Sequence, residues 1–245
     1  MENKNIKRIA IEQSAIDLNC KYEDLIGQTN KVVVSQLISG HKRDFTEPHF
    51  CQFVCYGNAL VASVDEKLME FMIPFVEKLP GFRCYTRFKE LTHEFDKYGK
   101  HIGTQNYYLP DMKNNFDVSP DFNIKIFLDS EISKLYSNKK FPMALRYDCD
   151  SERRDVIAVA GYKNNEIIGV AGAVNDSDTM WQVGIDVLSN YRNQGIAKNL
   201  VRIITKEIFK KRIIPFYGTA WSNIVSIKTA ISSGYSPAWI ELSAW

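Results

Sequence analysis

The sequence predicts a mixed α+β protein: a mostly antiparallel sheet flanked by helices in the second half, and an alternation of strands and helices in the first. Three observations carry this. Residues 156–161, 166–174 and 180–188 are apolar runs separated by the polar turns 163–165 and 175–179, which reads as a three-stranded antiparallel meander. Ile196, Leu200, Ile203, Ile204 and Ile208 then recur at helical spacing, one continuous stripe with which a helix packs on a sheet. In the first half, residues 50–56 and 59–64 are apolar runs around Gly57-Asn58, a dipeptide that tolerates the positive φ angles of a tight hairpin.

The other elements follow in order. Residues 6–25 mix apolar and charged positions at loosely helical spacing, with Gly27 as the stop, and the valines within residues 31–36 favour a strand. Asp65 caps a helix whose positions Leu68, Met72, Val76 and Leu79 share a face, ended by Pro80-Gly81. A strand is expected over 82–85, a helix over 88–98 closed by Gly99, and a strand over 102–109. The turn-forming cluster at 114–120 places a domain boundary, giving an N-terminal α/β domain over 1–117 and a second domain over 118–245. Beyond it come a short helix over 130–136, the meander, the long helix, a strand over 213–221 with Pro215 at its start or on an unpaired edge, a helix over 223–233 ended by Gly234, and a last strand over 235–242.

Composition narrows the function classes. Apolar residues make up 45% and charged residues 24%, and 31 Lys plus Arg against 29 Asp plus Glu leave a formal charge of +2. Such a balance gives no electrostatic reason to expect nucleic acid or a membrane surface as partner. No run of 18 apolar residues and no signal peptide is evident, so a cytoplasmic protein is expected. Five cysteines without Cys-x-x-Cys fit free thiols in a reducing compartment. The histidines His41, His49, His93 and His101 lack ligand spacing, so no metal is expected.

The chemistry concentrates in residues 187–197, Val-Leu-Ser-Asn-Tyr-Arg-Asn-Gln-Gly-Ile-Ala. A strand stops, a glycine-containing loop follows, and a helix begins with its first N–H groups aimed back at the loop. That arrangement suits an anion such as a pyrophosphate. A plain strand-to-helix turn, with Gly195 chosen for its backbone freedom, is the competing reading.

Arg192-x-x-Gly195-x-Ala197, with Val187 five residues before the arginine, resembles the acetyl-CoA loop of the Gcn5-related N-acetyltransferase (GNAT) superfamily. Asn223, an amphipathic helix and Gly234-Tyr235 resemble that family's next motif, and the likeness covers about residues 120–245. It implies that the N–H groups of Gln194, Gly195, Ile196 and Ala197 hold the coenzyme's pyrophosphate, with Arg192 and Asn193 completing the loop. The main chain at Val187 and Leu188 would pair with pantetheine, placing the thioester in a gap between that strand and the one at 213–221. Asn223 would reach the pantetheine arm, or cap its helix, and Lys198 would meet the ribose phosphate; Arg202, Lys206, Lys210, Lys211 and Arg212 read better as a solvated face.

The chain departs from the family where catalysis is concerned. The positions of the usual base are Trp181 and Val183, and the position of the usual tyrosine acid is Ala230. None of these can move a proton. Tyr217, Ser226 and Asp186 are the remaining catalytic candidates, with Asp186 on the opposite face of its strand beside Gln182 and Gly184; ordinary core, surface and structural roles compete for all three. His93-Glu94 and Glu47-Pro48-His49 lie in the first half, and Trp181, Trp221, Trp239 and Tyr217 would form an aromatic substrate wall or simply core.

The resemblance therefore implies transfer of an acetyl group from acetyl-CoA, as co-substrate, to a primary amine of a small molecule or peptide by direct attack, in a monomer or homodimer. The N-terminal domain would be a degenerate acetyltransferase-like domain or would shape the acceptor site. The alternative is a non-catalytic acyl-CoA-binding regulatory module, motivated by Trp181, Val183 and Ala230.

Overall fold

The computed structural model describes residues 2–79 and 87–244, so the strand expected over 82–85 and the stop at Pro80-Gly81 lie outside the described residues. The helices are α1 (Asn3–Leu18), α2 (Tyr22–Ile26), α3 (Met69–Glu77), α4 (Phe88–Asp96), α5 (Ile196–Lys210) and α6 (Ile224–Ser232). The strands are β1 (Lys31–Val34), β2 (Cys51–Cys55), β3 (Leu60–Val64), β4 (Ile102–Pro110), β5 (Asn123–Leu128), β6 (Asp155–Lys163), β7 (Glu166–Val174), β8 (Met180–Val187), β9 (Ile214–Ala220) and β10 (Tyr235–Ala244). This is the expected mixed α+β architecture with mostly antiparallel pairing. The helix expected over 130–136 is a 3-10 helix, Asp129–Asn138. The single helical stretch expected over 6–25 is two helices, parted where Asn19 takes a φ of 55°.

The chain divides into two units that interleave in sequence. One comprises Met1–Ile6, Tyr108–Gly218 and Asn223–Ser236, the other Lys7–Tyr107, Thr219–Ser222 and Pro237–Trp245.

In the second of these units, β2 and β3 form the expected hairpin, Cys55 opposite Leu60, with Gly57 at φ 108°. β1 joins β3 in parallel and β10 joins β2 antiparallel. Phe53, Val64, Leu68, Met72, Val76, Leu91, Phe95 and Leu242 bury one core there. A buried polar knot in the same unit joins α1, the loop at Lys42, β2, β4 and β10. Lys42 sits 3.5 Å from Asp17 and 3.7 Å from Glu241. Glu241 also accepts from Trp239 Nε1 at 2.9 Å and Gln52 Nε2 at 3.1 Å, while Trp239 stacks on Tyr107 with ring centroids 4.7 Å apart. Asp17 binds the backbone N–H of Lys42 and the amide of Gln13.

In the first unit, β5 to β8 form an antiparallel meander and β9 pairs in parallel with β8. The apolar stripe of α5, Ile196, Leu200, Ile204 and Ile208, is fully interred against Val159, Ile168, Val183 and Val187. The opposite sheet face, Phe127 included, is covered by the 3-10 helix and the segment after it, through Ile132, Leu135, Phe141 and Leu145. Gly172 and Gly184 face each other across β7 and β8, and this bare spot admits the main chain of Met143 and Ala144. A Cβ on Gly172 would stand 2.1 Å from the Ala144 carbonyl oxygen. Asp155 ties that segment down, its carboxylate accepting from Arg146 N, Tyr147 N and the Tyr136 hydroxyl. Among the described residues no helix is long and apolar enough to cross a membrane.

Two stability measurements test this packing. Gly172→Ala is expected to lose about 1–3 kcal/mol in denaturant unfolding, since backbone must move to admit the methyl group. Burial pushes the Asp17 carboxyl up from 3.8 to about 6 against the opposing pull of Lys42. The folded state therefore holds this proton more tightly than the unfolded chain, and the contribution to stability falls as pH rises from about 4 to about 6. Asp17→Asn should remove that fall, so wild type and variant diverge across the window by up to roughly 3 kcal/mol; parallel pH profiles would refute the assignment.

Candidate functional site

The site is built where β8 ends and α5 begins. β8 and β9 pair at Met180↔Ile214, Trp181↔Pro215 and Gln182↔Phe216, and among the described residues the register stops there. Pro215, with no N–H to give, lies near the start of β9, where the sequence rules required it. Beyond Gln182 and Phe216 the two strands part, and the parity of β8 decides what faces the gap. Leu188 N donates to Ile168 O at 3.0 Å, so the main chain of Leu188 turns toward β7. In an antiparallel ladder alternate residues turn the other way, so Val183, Ile185 and Val187 present N–H and C=O to the gap. The Val187 N–H is thus turned to the gap, while its carbonyl accepts from Arg192 Nε at 3.0 Å. Leu188 turns away from the gap, its N–H donating to Ile168 O and its carbonyl accepting from Tyr191 N at 2.9 Å. Alternation along the strand makes it impossible for both neighbours to face one side.

The loop is shaped by short-range bonds. Ser189–Tyr191 forms a 3-10 turn, Arg192 Nε returns to the Val187 carbonyl at 3.0 Å, and Asn193 adopts φ 62°. Gln194 Nε2 reaches Asn190 O at 3.3 Å. Gly195 is the N-cap of α5 at φ 76°, a left-handed conformation that costs other residues strain, and a Cβ there would meet nothing within 4 Å. Having no side chain, it gives the helix no capping acceptor. The first helical bond runs from Asn199 N to Gly195 O at 3.1 Å, so the N–H groups of Ile196, Ala197 and Lys198 precede the hydrogen-bonded ladder. No acidic residue stands in that first turn, while Lys198 does. The result is a concentration of unsatisfied donors and positive helix dipole beside open space, the physical requirement for binding an anion.

The later basic residues of α5 are spent locally. Lys206 pairs with Asp117, Lys210 with Glu207 at 2.6 Å, and Arg202 points at Ser232 O at 3.5 Å. Lys206 and Lys210 belong to a solvated face, whereas Arg202 is half-buried.

Across the gap, Asn223 caps α6, its side chain accepting from Ser226 N at 3.1 Å. Tyr217, buried in the core, and Ser226, half-buried on α6, share a hydrogen bond of 2.9 Å. Burial raises the Tyr217 phenol above its ordinary pKa, so it stays protonated at neutral pH. Asp186 lies with Gln182 and Gly184 on the other face, its carboxylate 3.8 Å from the Arg192 guanidinium. Val183 and Ala230 are sealed in the apolar core, and Trp181 packs partly against it, so all three positions are inert as proton carriers. Of the other aromatic residues, Tyr217 and Trp239 are buried in their own units, and Trp221 is 57% exposed. Of the first-half candidates, Glu94 pairs with Lys97 at 2.5 Å and His49 packs edge-on against Phe45. Sequence reasoning missed the Tyr217–Ser226 bond itself, because nothing in their spacing shows that a strand and the following helix bring the two hydroxyls together. Among the described residues no group of three or more His, Cys, Asp or Glu is placed to hold a metal.

A parting strand pair, a glycine-capped helix and an antiparallel meander thus lie together in the second half of the chain. Residues 124–232, somewhat less than half the chain, match the model of the acetyltransferase (GNAT) family, and that segment is a GNAT domain. No family matches the N-terminal half, and no curated protein sequence matches the chain. Among solved structures, a GCN5-related N-acetyltransferase-like protein from Streptococcus suis is similar at 14% identity over 65% of this chain and 68% of its own, with a TM-score of 0.48. A GNAT-family acetyltransferase from Colwellia psychrerythraea is similar at 13% identity over 64% of this chain and 62% of its own, with a TM-score of 0.44. The chain thus spans only about two thirds of the length of these proteins.

Asn223→Ala separates capping from ligand contact. A loss of about 1 kcal/mol in unfolding free energy is expected from the cap alone. Unchanged stability would remove the capping role.

Proposed function

We infer that the protein is an acetyl-CoA-dependent N-acetyltransferase that transfers the acetyl group to a primary amine of a small molecule or peptide. The observation that carries this reading is the glycine-capped N-terminus of α5 opening on the gap between β8 and β9. Pyrophosphate would lie on the N–H groups of Gln194 through Ala197, with Arg192 and Asn193 shaping the loop and Lys198 near the coenzyme's ribose phosphate. Pantetheine would run along the gap against the main chain of Val187, and Asn223 would meet it from α6.

The chemistry follows from what is absent as well as what is present. The neutral amine attacks the thioester carbonyl carbon, the C–N bond forms, and the carbonyl oxygen takes the negative charge. Main-chain N–H groups turned into the gap stabilise that charge without reorganising. The C–S bond then breaks and the thiolate needs a proton. Tyr217, held protonated by burial and hydrogen-bonded to Ser226, is the donor we assign. With Trp181, Val183 and Ala230 in place of the usual proton carriers, a water chain takes the amine proton, and rate comes mainly from positioning.

Calorimetry with coenzyme A and thiol release from acetyl-CoA over a panel of amines and peptides test this reading. Gly195→Glu should weaken coenzyme binding by about a hundredfold, because it places a strained residue and a carboxylate before the helix N-terminus. Full binding by that variant would contradict the placement of the coenzyme. Tyr217→Phe is expected to lower kcat by about 100-fold with coenzyme affinity kept. Coenzyme binding without turnover on any acceptor would favour a non-catalytic acyl-CoA-binding module.

A further inference from the structure

β5 ends the sheet of its unit: it pairs with β6 on one side, and among the described residues no strand lies on the other. Its two faces differ. Lys125 and Phe127 stand opposite Ala160 and Ala158 on the face closed by the 3-10 helix. Ile124, Ile126 and Leu128 stand opposite Gly161, Val159 and Ile157 on the face that carries α5. α5 packs on β6, β7 and β8 but stops short of the edge, leaving Ile124, Ile126 and Leu128 exposed at 37%, 36% and 37%. A row of alternate main-chain N–H and C=O groups along an apolar edge is a template for another strand, which natural sheets ordinarily blunt with charge or proline. Here the six residues Asn123–Leu128 contain no proline and one charge, Lys125.

The order of the side chains says which strand fits. Antiparallel pairing of β5 with itself about a two-fold axis through Ile126 sets Ile124 against Leu128 and Ile126 against Ile126, so all three exposed side chains find apolar partners. Lys125 falls opposite Phe127, and Asn123 opposite Asp129. No like charges meet. An axis through Lys125 would instead set two lysines face to face, and pairs of like charge directly opposite are destabilising.

We propose that the edge of β5 is a homodimer interface, in which a second copy of this chain pairs antiparallel through Ile126 and continues the sheet across the two-fold axis. The contact is isologous and closes at two chains. Six residues a side is at the small end of specific interfaces, so dissociation in the micromolar range is expected.

Sedimentation velocity on the full chain from about 1 to 200 μM should show wild type passing from monomer to dimer, and Ile126→Arg should stay monomeric with an unchanged circular dichroism spectrum. Cysteine pairing checks the register independently of that variant's folding. Residues opposite one another in an antiparallel pair have Cα atoms about 4.5–5.5 Å apart, within disulfide reach, whereas Ile124 and its own symmetry mate would be about 14 Å apart. Under mild oxidation I126C should therefore form dimers alone, and I124C mixed with L128C should cross-link while neither does so singly. The wild-type chain, oxidised in parallel, sets the background from its five native cysteines. Wild type monomeric at every concentration, dimers that survive Ile126→Arg, or I124C cross-linking to itself as readily as to L128C would overturn the proposal.

Discussion

The first turn of α5 is the constraint on which the site depends. A helix must leave its first N–H groups without backbone acceptors, and most helices answer with a serine, threonine, asparagine or aspartate at the N-cap. This helix begins instead at Gly195, which offers no side chain and holds a left-handed conformation with nothing over its Cα. The helix cannot shift to relieve the deficit, because Leu200, Ile204 and Ile208 lock it into the meander. Donors are thereby fixed in space beside the gap that opens where β8 and β9 stop pairing. Rigid packing on one side of the helix is what makes the other end available to a ligand.

The same economy governs the gap. One face of β8 is fully used by the core through Val183 and Val187, and the other receives the main chain of Met143 and Ala144 over Gly184. Beside the splay, the face packed on α5 carries apolar side chains only, whereas the other face holds the Asp186 carboxylate, 3.8 Å from the Arg192 guanidinium. The hydroxyl pair of Tyr217 and Ser226 arrives from β9 and α6.

Much of this was legible in the sequence, for identifiable reasons. The meander could be read because Asn164-Asn165 and the stretch after Val174 interrupt otherwise apolar runs, and Asn164 and Asn165 indeed take positive φ. α5 could be read because its stripe has no interruption. Gly195 could be read because only a backbone requirement explains a glycine between a polar loop and an apolar helix. What could not be read depends on long-range geometry. Spacing does not reveal strand parity to an unpaired neighbour, which is why Val187 and Leu188 looked equivalent. The pairing of Asp17 and Glu241 with Lys42 joins positions far apart in sequence, and neither lies in a motif. The break between α1 and α2 turns on the left-handed Asn19, a conformation asparagine tolerates but does not announce.

Pyrophosphate seated at the N-terminus of α5 must draw hydrogen bonds from particular amides. Titration of the nitrogen-15-labelled protein with coenzyme A, followed by amide proton shifts, reads this directly. Large downfield shifts concentrated at Gly195, Ile196 and Ala197, saturating with the binding isotherm, are expected. Saturable binding that leaves these three amides unmoved would contradict the central claim.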